Sequence, residues 1–252
     1  MKTVEFDYYI ENRMNIRFFQ KGFNYSQDGP GNRLIVHLQG CNLHCPWCSN
    51  PEGMSMQGGL EVSVEELTAE IASCKRLFFG GGGVTFTGGE CTMQKAALKE
   101  VLKGCRKENI NTAIETNGTC PYDEELFDDI DLIICDFKHH DEEKLQTAVG
   151  NVKGYKKNIR DYLQSRKPVL VRIPLIHGFN DEPGDDIRFA KFFENLPTEN
   201  TKFEFLSYHE YGKVKWEKLN MPYKMQDAFV NKETVDLFEN TFKTYNLKTI
   251  RS

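Results

Sequence analysis

The chain has 252 residues, of which 39% are hydrophobic and 27% charged, a composition typical of a globular protein and unlike that of a disordered chain. Its net charge of −5 gives no basic excess that would predict a nucleic-acid partner. No apolar run approaches the roughly 20 residues of a membrane span, and residues 1–10 lack the basic-then-apolar order of a signal peptide. We therefore expect a cytoplasmic chain with no membrane partner, folded as a single domain over residues 1–252.

Apolar, β-branched runs alternate with amphipathic stretches along the chain, a pattern typical of strand–helix units around a parallel sheet. Strands are predicted at residues 33–39, 84–87, 111–115, 132–136, 168–173 and 203–206. Helices are predicted at residues 64–74, 95–108, 124–130, 155–165 and 185–194, and a last helix at 232–245 precedes a short C-terminal strand. Ser63 and Glu66 have the spacing of a capping box at the start of the first helix. Residues 54–59 are predicted to form a flexible loop.

Six strands with intervening helices predict an α/β fold, namely a partial (β/α)6 barrel that is open at the C-terminal edges of its strands. Parallel strands bring those edges together, so we expect the chemistry of the protein at this end of the barrel. Each unusual motif described below falls at the end of a predicted strand. This agreement supports both the strands and the position of the site.

Three cysteines, Cys41, Cys45 and Cys48, lie within eight residues directly after the first predicted strand. In a chain without a signal peptide, eight cysteines predict metal binding or catalysis rather than disulfides. A zinc ribbon would need a fourth ligand and usually a second Cys-x2-Cys pair, and neither is found at suitable spacing. Three soft thiolates favour an iron–sulfur cluster with one iron left open for another ligand. The alternative interpretation is three buried structural cysteines.

The spacing Cys-x3-Cys-x2-Cys, with Trp47 before the last cysteine, resembles the defining motif of the radical S-adenosylmethionine (SAM) superfamily. The resemblance implies that Cys41, Cys45 and Cys48 hold a [4Fe-4S] cluster whose open iron binds the amino and carboxylate groups of SAM. It also implies reductive cleavage of SAM to methionine and a 5′-deoxyadenosyl radical that abstracts a hydrogen atom. Trp47 is then expected against the adenosine moiety, and packing beneath the loop is the alternative.

A glycine-rich run at residues 80–83 is followed by a strand and then by Gly88, Gly89 and Glu90. The run lacks the Gly-Lys-Ser/Thr ending of a phosphate loop, which argues against binding of a nucleoside triphosphate. Glycines after a strand let the backbone approach a ligand closely, and Glu90 offers an acceptor for an ammonium group. The segment resembles the Gly-Gly-Glu motif of radical SAM proteins, which holds the methionine amino group, whereas a structural turn is the alternative.

Charged residues recur at the ends of the later strands. They are Glu115, Asp136 with Lys138, Arg172 and His209. Each one alone is typical of a helix cap or a surface ion pair. Together, at successive strand ends, they provide a base for the carboxylate of a zwitterionic sulfonium ligand and acceptors for its ribose.

The order of motifs over nearly the whole chain resembles the activating enzymes of glycyl radical enzymes, above all those that activate pyruvate formate-lyase. The motifs comprise residues 28–33, the cysteine loop with residues 50–52, and residues 81–90, 136–138, 208–213 and 216. The resemblance implies abstraction of a hydrogen atom from a glycine Cα of a large partner enzyme, with flavodoxin or ferredoxin as the electron donor. Residues 28–33 are predicted to help seat the partner's glycine loop, and a turn before the first strand is the alternative.

The same resemblance assigns the site residues. It implies contacts with SAM from Trp47, Gly88, Gly89, Glu90, Asp136, Lys138, Arg172 and His209. It also implies a monovalent cation beside the SAM carboxylate, held partly by Glu115 and Asp136, although the family's best-known form has aspartate in place of Glu115. Cys91 departs from the proline or alanine familiar after the glutamate, and it is predicted to act as a small apolar residue. No cysteine pair follows the cysteine loop, which indicates a compact form with a single cluster.

Two other classes of function are compatible with part of this pattern. A radical SAM enzyme that acts on a small molecule, or the activator of anaerobic ribonucleotide reductase, would use the same cluster, but the latter is usually shorter and lacks residues 208–213. An electron-carrying module without catalysis would usually have a fourth cysteine and would not need Glu90, Lys138 or Arg172. The sequence therefore predicts an activating enzyme of a glycyl radical enzyme.

Overall fold

The structure is a computed structural model that describes residues 14–251. Residues 1–13 and Ser252 lie outside the described residues. Residues 1–10, which are predicted not to form a signal peptide, are therefore outside the described range. Both ends of the single domain predicted over residues 1–252 are also outside it. Within the described range, no helix is long and apolar enough to cross a membrane.

One sheet runs through the described residues, with nine strands in the order β3-β1-β2-β4-β5-β6-β7-β8-β9. The strands are β1 Asn15–Tyr25, β2 Asn32–Leu38, β3 Leu60–Ser63, β4 Gly83–Gly88, β5 Asn111–Thr116, β6 Leu132–Asp136, β7 Val169–Leu175, β8 Thr201–Ser207 and β9 Thr249–Ile250. The six predicted strands correspond to β2 and β4 to β8, and each pairs in parallel with the next. The sheet does not close on itself, which confirms the open partial barrel.

The helices lie mostly in the connections between these strands. They are α1 Val64–Ser73, α2 Lys95–Lys107, α3 Glu124–Phe127, α4 Glu142–Val149, α5 Tyr155–Gln164, α6 Asp185–Phe193, α7 Lys213–Lys218 and α8 Lys232–Thr244. The six predicted helices are all present, and α4 and α7 were not predicted. Helix α3 ends earlier than predicted, because the chain turns after it and the Asp131 N–H donates to the Thr112 carbonyl at 3.0 Å.

The predicted capping box at the start of α1 is present. The Ser63 hydroxyl accepts from the Glu66 N–H at 3.1 Å, and the Glu66 carboxylate accepts from the Ser63 N–H at 2.9 Å. Two N–H groups at the beginning of the helix thus gain partners that the helix itself does not supply. The reciprocal bonds explain why the helix begins directly after β3.

Strands β1 and β3 extend the sheet beyond the predicted barrel. β1 is antiparallel to β2 and contains an irregularity between Phe18 and Gln20, and β3 pairs only with the first part of β1. The second half of β1 is largely exposed, so its residues lack the alternation of apolar and polar side chains that marks a half-buried strand. This irregular pattern is the reason that β1 was missed.

Residues 28–33 lie at the N-terminal end of the barrel strands, where Arg33 is fully buried. Its guanidinium donates to the Thr85 hydroxyl at 2.7 Å, to the Val84 carbonyl at 2.8 Å and to the Asn111 side chain at 2.9 Å. Burial lowers the pKa of Arg33 to about 10, and nearby carboxylates oppose this effect. Arg33 therefore ties β2 to β4 and β5 as a structural residue.

We predict that Arg33→Met lowers the free energy of unfolding by about 3 kcal/mol, because it leaves several buried acceptors without a donor. The matched control is Arg106→Met. The Arg106 side chain is 64% exposed and pairs with Asp129, and we expect its loss to cost less than about 1 kcal/mol. Anaerobic urea denaturation measures both values. Equal stability of the two variants would contradict the structural role of Arg33.

Candidate active site: a cysteine loop at the mouth of an open barrel

A cavity of about 590 Å³ opens at the C-terminal ends of the barrel strands. With one exception, it brings together every site residue predicted from the sequence. The residues that line it are Cys41, Cys45, Trp47, Cys48, Gly88, Gly89, Glu115, Asp136, Lys138, Arg172 and His209. The exception is Glu90, which is not part of the lining.

The cysteine loop follows β2 and is held against the end of β4. The Glu90 N–H donates to the Gly40 carbonyl at 2.8 Å, and the Gly89 N–H donates to the Leu38 carbonyl at 3.0 Å. A Cβ atom on Gly89 would lie 2.3 Å from the Gly40 oxygen and 2.4 Å from the Gly53 oxygen. Only glycine therefore permits this approach of the two loops. Gly89 is therefore required for the contact between the two loops, in addition to any contact that the glycine pair makes with a ligand.

The C-terminal side of the cysteine loop is held by α7. The Trp216 indole N–H donates to the Cys48 carbonyl at 2.9 Å, and Lys215 donates to the Asn50 side chain at 2.9 Å. Lys215 also pairs with Glu52 at 3.0 Å. The sequence pattern had included Trp216 only as part of a resemblance, because a six-residue helix has too few turns to show a periodic signal.

Burial dominates the electrostatics of the three thiols. It raises the pKa of Cys45 to about 12 and that of Cys48 to about 11, and it also raises the pKa of Cys41. The positive charge of Lys138 opposes the shift at each of the three thiols. Such thiols keep their protons until a metal ion displaces them.

The donor set fits an iron–sulfur cluster. The Leu43 N–H points at the Cys41 sulfur and the Asn50 N–H at the Cys48 sulfur, both at 3.4 Å. Hydrogen bonds of this kind stabilise thiolate ligands and tune the potential of a cluster. With Lys138 nearby to offset negative charge, the loop provides three soft ligands in a suitable environment.

Glu90 occupies a different position from the one that an ammonium acceptor requires. It is 1% exposed, and its carboxylate accepts from the Thr92 N–H and hydroxyl, the Thr116 hydroxyl and the Asn117 N–H at 2.6–3.2 Å. Both oxygens are thus occupied by the protein. Burial raises the pKa of Glu90, and these hydrogen bonds oppose the shift. The side chain joins the end of β4 to the loop after β5, and its predicted contact with a ligand ammonium group has no support in this geometry.

The basic residues of the cavity are already paired with carboxylates. Arg172 lies 2.5 Å from Glu115 and 2.9 Å from Glu204, and Lys138 pairs with Asp136. Burial alone would lower the pKa of Arg172, but Glu115 and Glu204 outweigh it and raise the pKa. The sequence showed the charged residues but not that Arg172 of β7 pairs with Glu115 of β5, because this pair depends on the order of the strands in the sheet.

His209 lies at the edge of the cavity after β8. Its Nδ1 atom faces the Tyr211 N–H at 3.4 Å, and its ring stacks on that of Tyr211 at 4.1 Å between centroids. Burial lowers the pKa of His209, which favours the neutral ring near pH 7. With Nδ1 facing a donor, the proton of the neutral ring belongs on Nε2, which is then free to donate to a ligand.

A second group with the composition of a metal site contains His139, His140 and Asp185, whose ligand atoms lie within 4.8 Å of one another. Its geometry favours a hydrogen-bonded network instead. The two nitrogens of His139 face the Asp141 N–H at 2.9 Å and the Phe179 carbonyl at 3.1 Å. Asp185 already pairs with His140 and with Arg188, each at 2.8 Å. No nitrogen of His139 is left for a metal ion.

Comparison with known proteins agrees with this site. Residues 35–190 match the family model described as "Radical SAM superfamily". The matched segment contains the three cysteines, the second half of β2 and all of β3 to β7. The chain belongs to the radical SAM superfamily, and this membership implies a [4Fe-4S] cluster and SAM as cofactors.

Within this superfamily the chain is similar to pyruvate formate-lyase activating enzymes. It is 37% identical to that of Clostridium pasteurianum over 79% of this chain and 85% of the relative. It is 32% identical to the pyruvate formate-lyase 1-activating enzyme of Escherichia coli K12 over 88% and 93% of the two chains. A solved domain of such an enzyme from Bacteroides vulgatus, 28% identical, superposes with a TM-score of 0.55 over 68% of this chain and 99% of that one.

We predict that Gly89→Ala prevents stable assembly of the cysteine loop, because overpacking at two backbone oxygens costs about 3 kcal/mol. The expected result is iron and sulfide content well below that of the unaltered chain after anaerobic reconstitution, with the circular dichroism spectrum retained. Gly22→Ala is the control, because nothing lies within 4 Å of its added Cβ. Full iron and sulfide content in Gly89→Ala would contradict the prediction, because it would show that the cysteine loop assembles even when the two loops are pushed apart.

Proposed function

We propose that this chain activates a glycyl radical enzyme of the pyruvate formate-lyase type by removing one hydrogen atom from a glycine Cα of that partner. The names of the relatives support this assignment. The observation that carries it is the open cavity whose wall contains both the three partly buried thiols and the charged strand ends. A large protein substrate needs such an opening, because its glycine has to reach the site while the rest of the partner stays outside.

We propose Cys41, Cys45 and Cys48 as the ligands of the [4Fe-4S] cluster. When bound, the cluster supplies the electron that cleaves SAM and so creates the species that takes the glycine hydrogen. The protein's part is to keep three thiolates and one open iron position in a partly dry site. The hydrogen bonds from Leu43 and Asn50 to the sulfurs support this role.

We propose that Gly88, Gly89, Trp47, Lys138, Asp136, Arg172 and His209 surround SAM. The glycine pair exposes backbone to the ligand, and the Trp47 ring, fixed against Phe179 at 4.8 Å between centroids, provides an apolar face. Lys138 and Asp136 form an ion pair that offers both a donor and an acceptor. His209, neutral with Nδ1 occupied, donates from Nε2. Arg172 acts mainly by holding Glu115 in place.

The monovalent cation predicted at Glu115 and Asp136 stays a prediction. Each carboxylate has a basic partner, Arg172 for Glu115 and Lys138 for Asp136, and Glu115 also accepts from the Thr87 hydroxyl at 2.9 Å. A cation at this point therefore has to compete with two charged side chains of the protein. The substitution of glutamate for the familiar aspartate is consistent with that pairing.

We propose that a small redox protein, flavodoxin or ferredoxin, delivers the electron, and that the chain works in the cytoplasm. The three cysteines are only partly shielded and His44 between them is exposed, so the cluster loop lies near the surface where such a donor can approach. All eight cysteines are free thiols, which is the state that a reducing compartment maintains.

We predict that the anaerobically reconstituted and reduced chain forms 5′-deoxyadenosine from SAM, and that a pyruvate formate-lyase added to it develops a glycyl radical doublet in electron paramagnetic resonance. Cys45→Ala should abolish both signals, because two thiolates cannot hold the cluster. Cys74→Ala, which lies outside the cavity lining, should retain both. If SAM cleavage persists in Cys45→Ala, the assignment is wrong, and cleavage by the unaltered chain without any glycyl radical would favour a small-molecule substrate.

We predict that Lys138→Met raises the dissociation constant for SAM about tenfold or more, because it removes a charged donor and leaves Asp136 unpaired in the cavity. Equilibrium dialysis of SAM against the cluster-loaded variant measures the change. Lys144→Met is the control, since its ammonium pairs with Glu182 near the surface. Unchanged SAM affinity in Lys138→Met would remove Lys138 from the SAM site.

A further inference from the structure

Among the described residues, the outer edge of β1 has a strand partner over its first part and none beyond it. β3 pairs with β1 from Asn15 to Phe18. Over residues 20–25 the inner side of β1 pairs with β2, and nothing in the described range 14–251 pairs with its outer side. Within residues 14–251, this part of β1 therefore has backbone N–H and C=O groups with no strand opposite them, to which an extended chain can add as a strand.

The usual protections of an edge strand are weak here. Residues 20–25 contain no proline, and their one charged residue, Lys21, is held by Glu70 at 2.5 Å and lies over the Phe18 ring at 4.3 Å. The irregularity between Phe18 and Gln20 comes before the free part of the edge. An unprotected edge of six residues is uncommon in a soluble protein unless it is used for binding.

The same segment lines the cavity that contains the cysteines. Gln20, Gly22, Phe23 and Asn24 are part of its wall, and nothing lies within 4 Å of a Cβ built on Gly22. On the opposite side, β9 pairs with β8 only at Phe203 and Glu204, whereas the later residues Leu206 and Ser207 face the cavity. The gap between the two ends of the sheet thus leads from the surface into the site.

Exposed aromatic rings accompany the free edge. Phe23 is 44% exposed and Tyr25 is 60% exposed. The Tyr25 ring stacks on Phe79, which is 58% exposed, with 5.9 Å between centroids. Clustered aromatic rings of this kind are typical of protein interaction surfaces.

We propose that the glycine-bearing segment of the partner enzyme binds as an additional β-strand on the outer edge of β1 at residues 20–25, with Phe23 and Tyr25 contacting its outward side chains. The inference rests on the proposed function. Recognition through the backbone suits a target glycine, which has no side chain to bind.

The register of the sheet fixes which end of the added strand meets the site. The pairing of β3 with β1 stops at Phe18, which is opposite Leu60, so the added strand has to leave the edge near Gln20. Gln20 is opposite His37 of β2, which in turn is opposite Thr87 of β4. The Thr87 hydroxyl donates to Glu115, so this layer belongs to the proposed SAM site. The strand therefore delivers its glycine at the Gln20 end.

The first test uses the double variant Tyr25→Ala, Phe79→Ala in the full-length, cluster-loaded enzyme, because these two stacked rings are exposed and lie outside the cavity lining. We expect about a tenfold lower kcat/KM for glycyl radical formation on a pyruvate formate-lyase, with unchanged 5′-deoxyadenosine formation in the absence of partner. Leu237→Ala is the control, because this residue of α8 is 51% exposed and lies outside the edge. An unchanged kcat/KM in the double variant would overturn the proposal.

The second test probes the backbone directly with the unaltered enzyme. Peptides copied from the glycyl radical segment of pyruvate formate-lyase carry an ester in place of one amide at a time. Strand addition predicts that kcat/KM falls about fivefold at every second position and stays constant between them. If radicals form without this alternation, strand addition is overturned and the proposed function stands. If no glycyl radical forms on any peptide or on the whole partner, the proposed function is contradicted as well.

Hydrogen exchange identifies what covers the edge. In the free full-length chain, the amides of residues 20–25 that point away from β2 should exchange rapidly, and pyruvate formate-lyase should protect them. Protection already present without partner would mean that the chain itself or a second copy occupies the edge, and that result would overturn the proposal.

Discussion

The contact between the loop after β2 and the loop after β4 is the constraint on which the site depends. The Glu90 N–H donates to the Gly40 carbonyl and the Gly89 N–H to the Leu38 carbonyl, and the separation of the two loops leaves no room for a side chain on Gly89. Because the cysteines extend from one loop and the glycine pair from the other, the same hydrogen bonds set the position of the cluster ligands relative to the cofactor-binding backbone. The parallel pairing of β2 with β4 brings both loops to one edge of the sheet.

The cost of burying charge explains the arrangement around that contact. Lys138 is 6% exposed, Arg172 6% and Glu204 2%, and such groups are stable only when paired. Lys138 pairs with Asp136 at the end of β6, and Arg172 pairs with Glu204 of the adjacent strand β8 and with Glu115 of β5, two strands away. The cavity thus holds fixed dipoles and ion pairs that need little rearrangement when a zwitterionic ligand enters. Glu90 is buried below the cavity, where its carboxylate joins the end of β4 to β5 by accepting from the Thr116 hydroxyl and the Asn117 N–H.

The sequence allowed prediction of the features that depend on local pattern. The six barrel strands were found because buried parallel strands are continuous apolar runs, and the cysteine loop was found because its spacing is specific. Strand β1 was missed because much of it faces solvent, and α7 because it is short. The ion pair of Arg172 with Glu115 and the burial of Glu90 depend on contacts between residues distant in sequence. No local pattern encodes such contacts. The sequence therefore predicted Arg172 and Glu90 at the site without predicting which residues they contact.

The most direct measurement of the central claim is electron paramagnetic resonance of the reduced, cluster-loaded chain before and after addition of SAM. Three cysteine ligands leave one iron of the cluster open, so the account predicts a [4Fe-4S] signal whose g values change when SAM binds. A signal that SAM leaves unaltered would show a fully ligated cluster. Such a result, or zinc in place of iron at these thiols, would contradict the account.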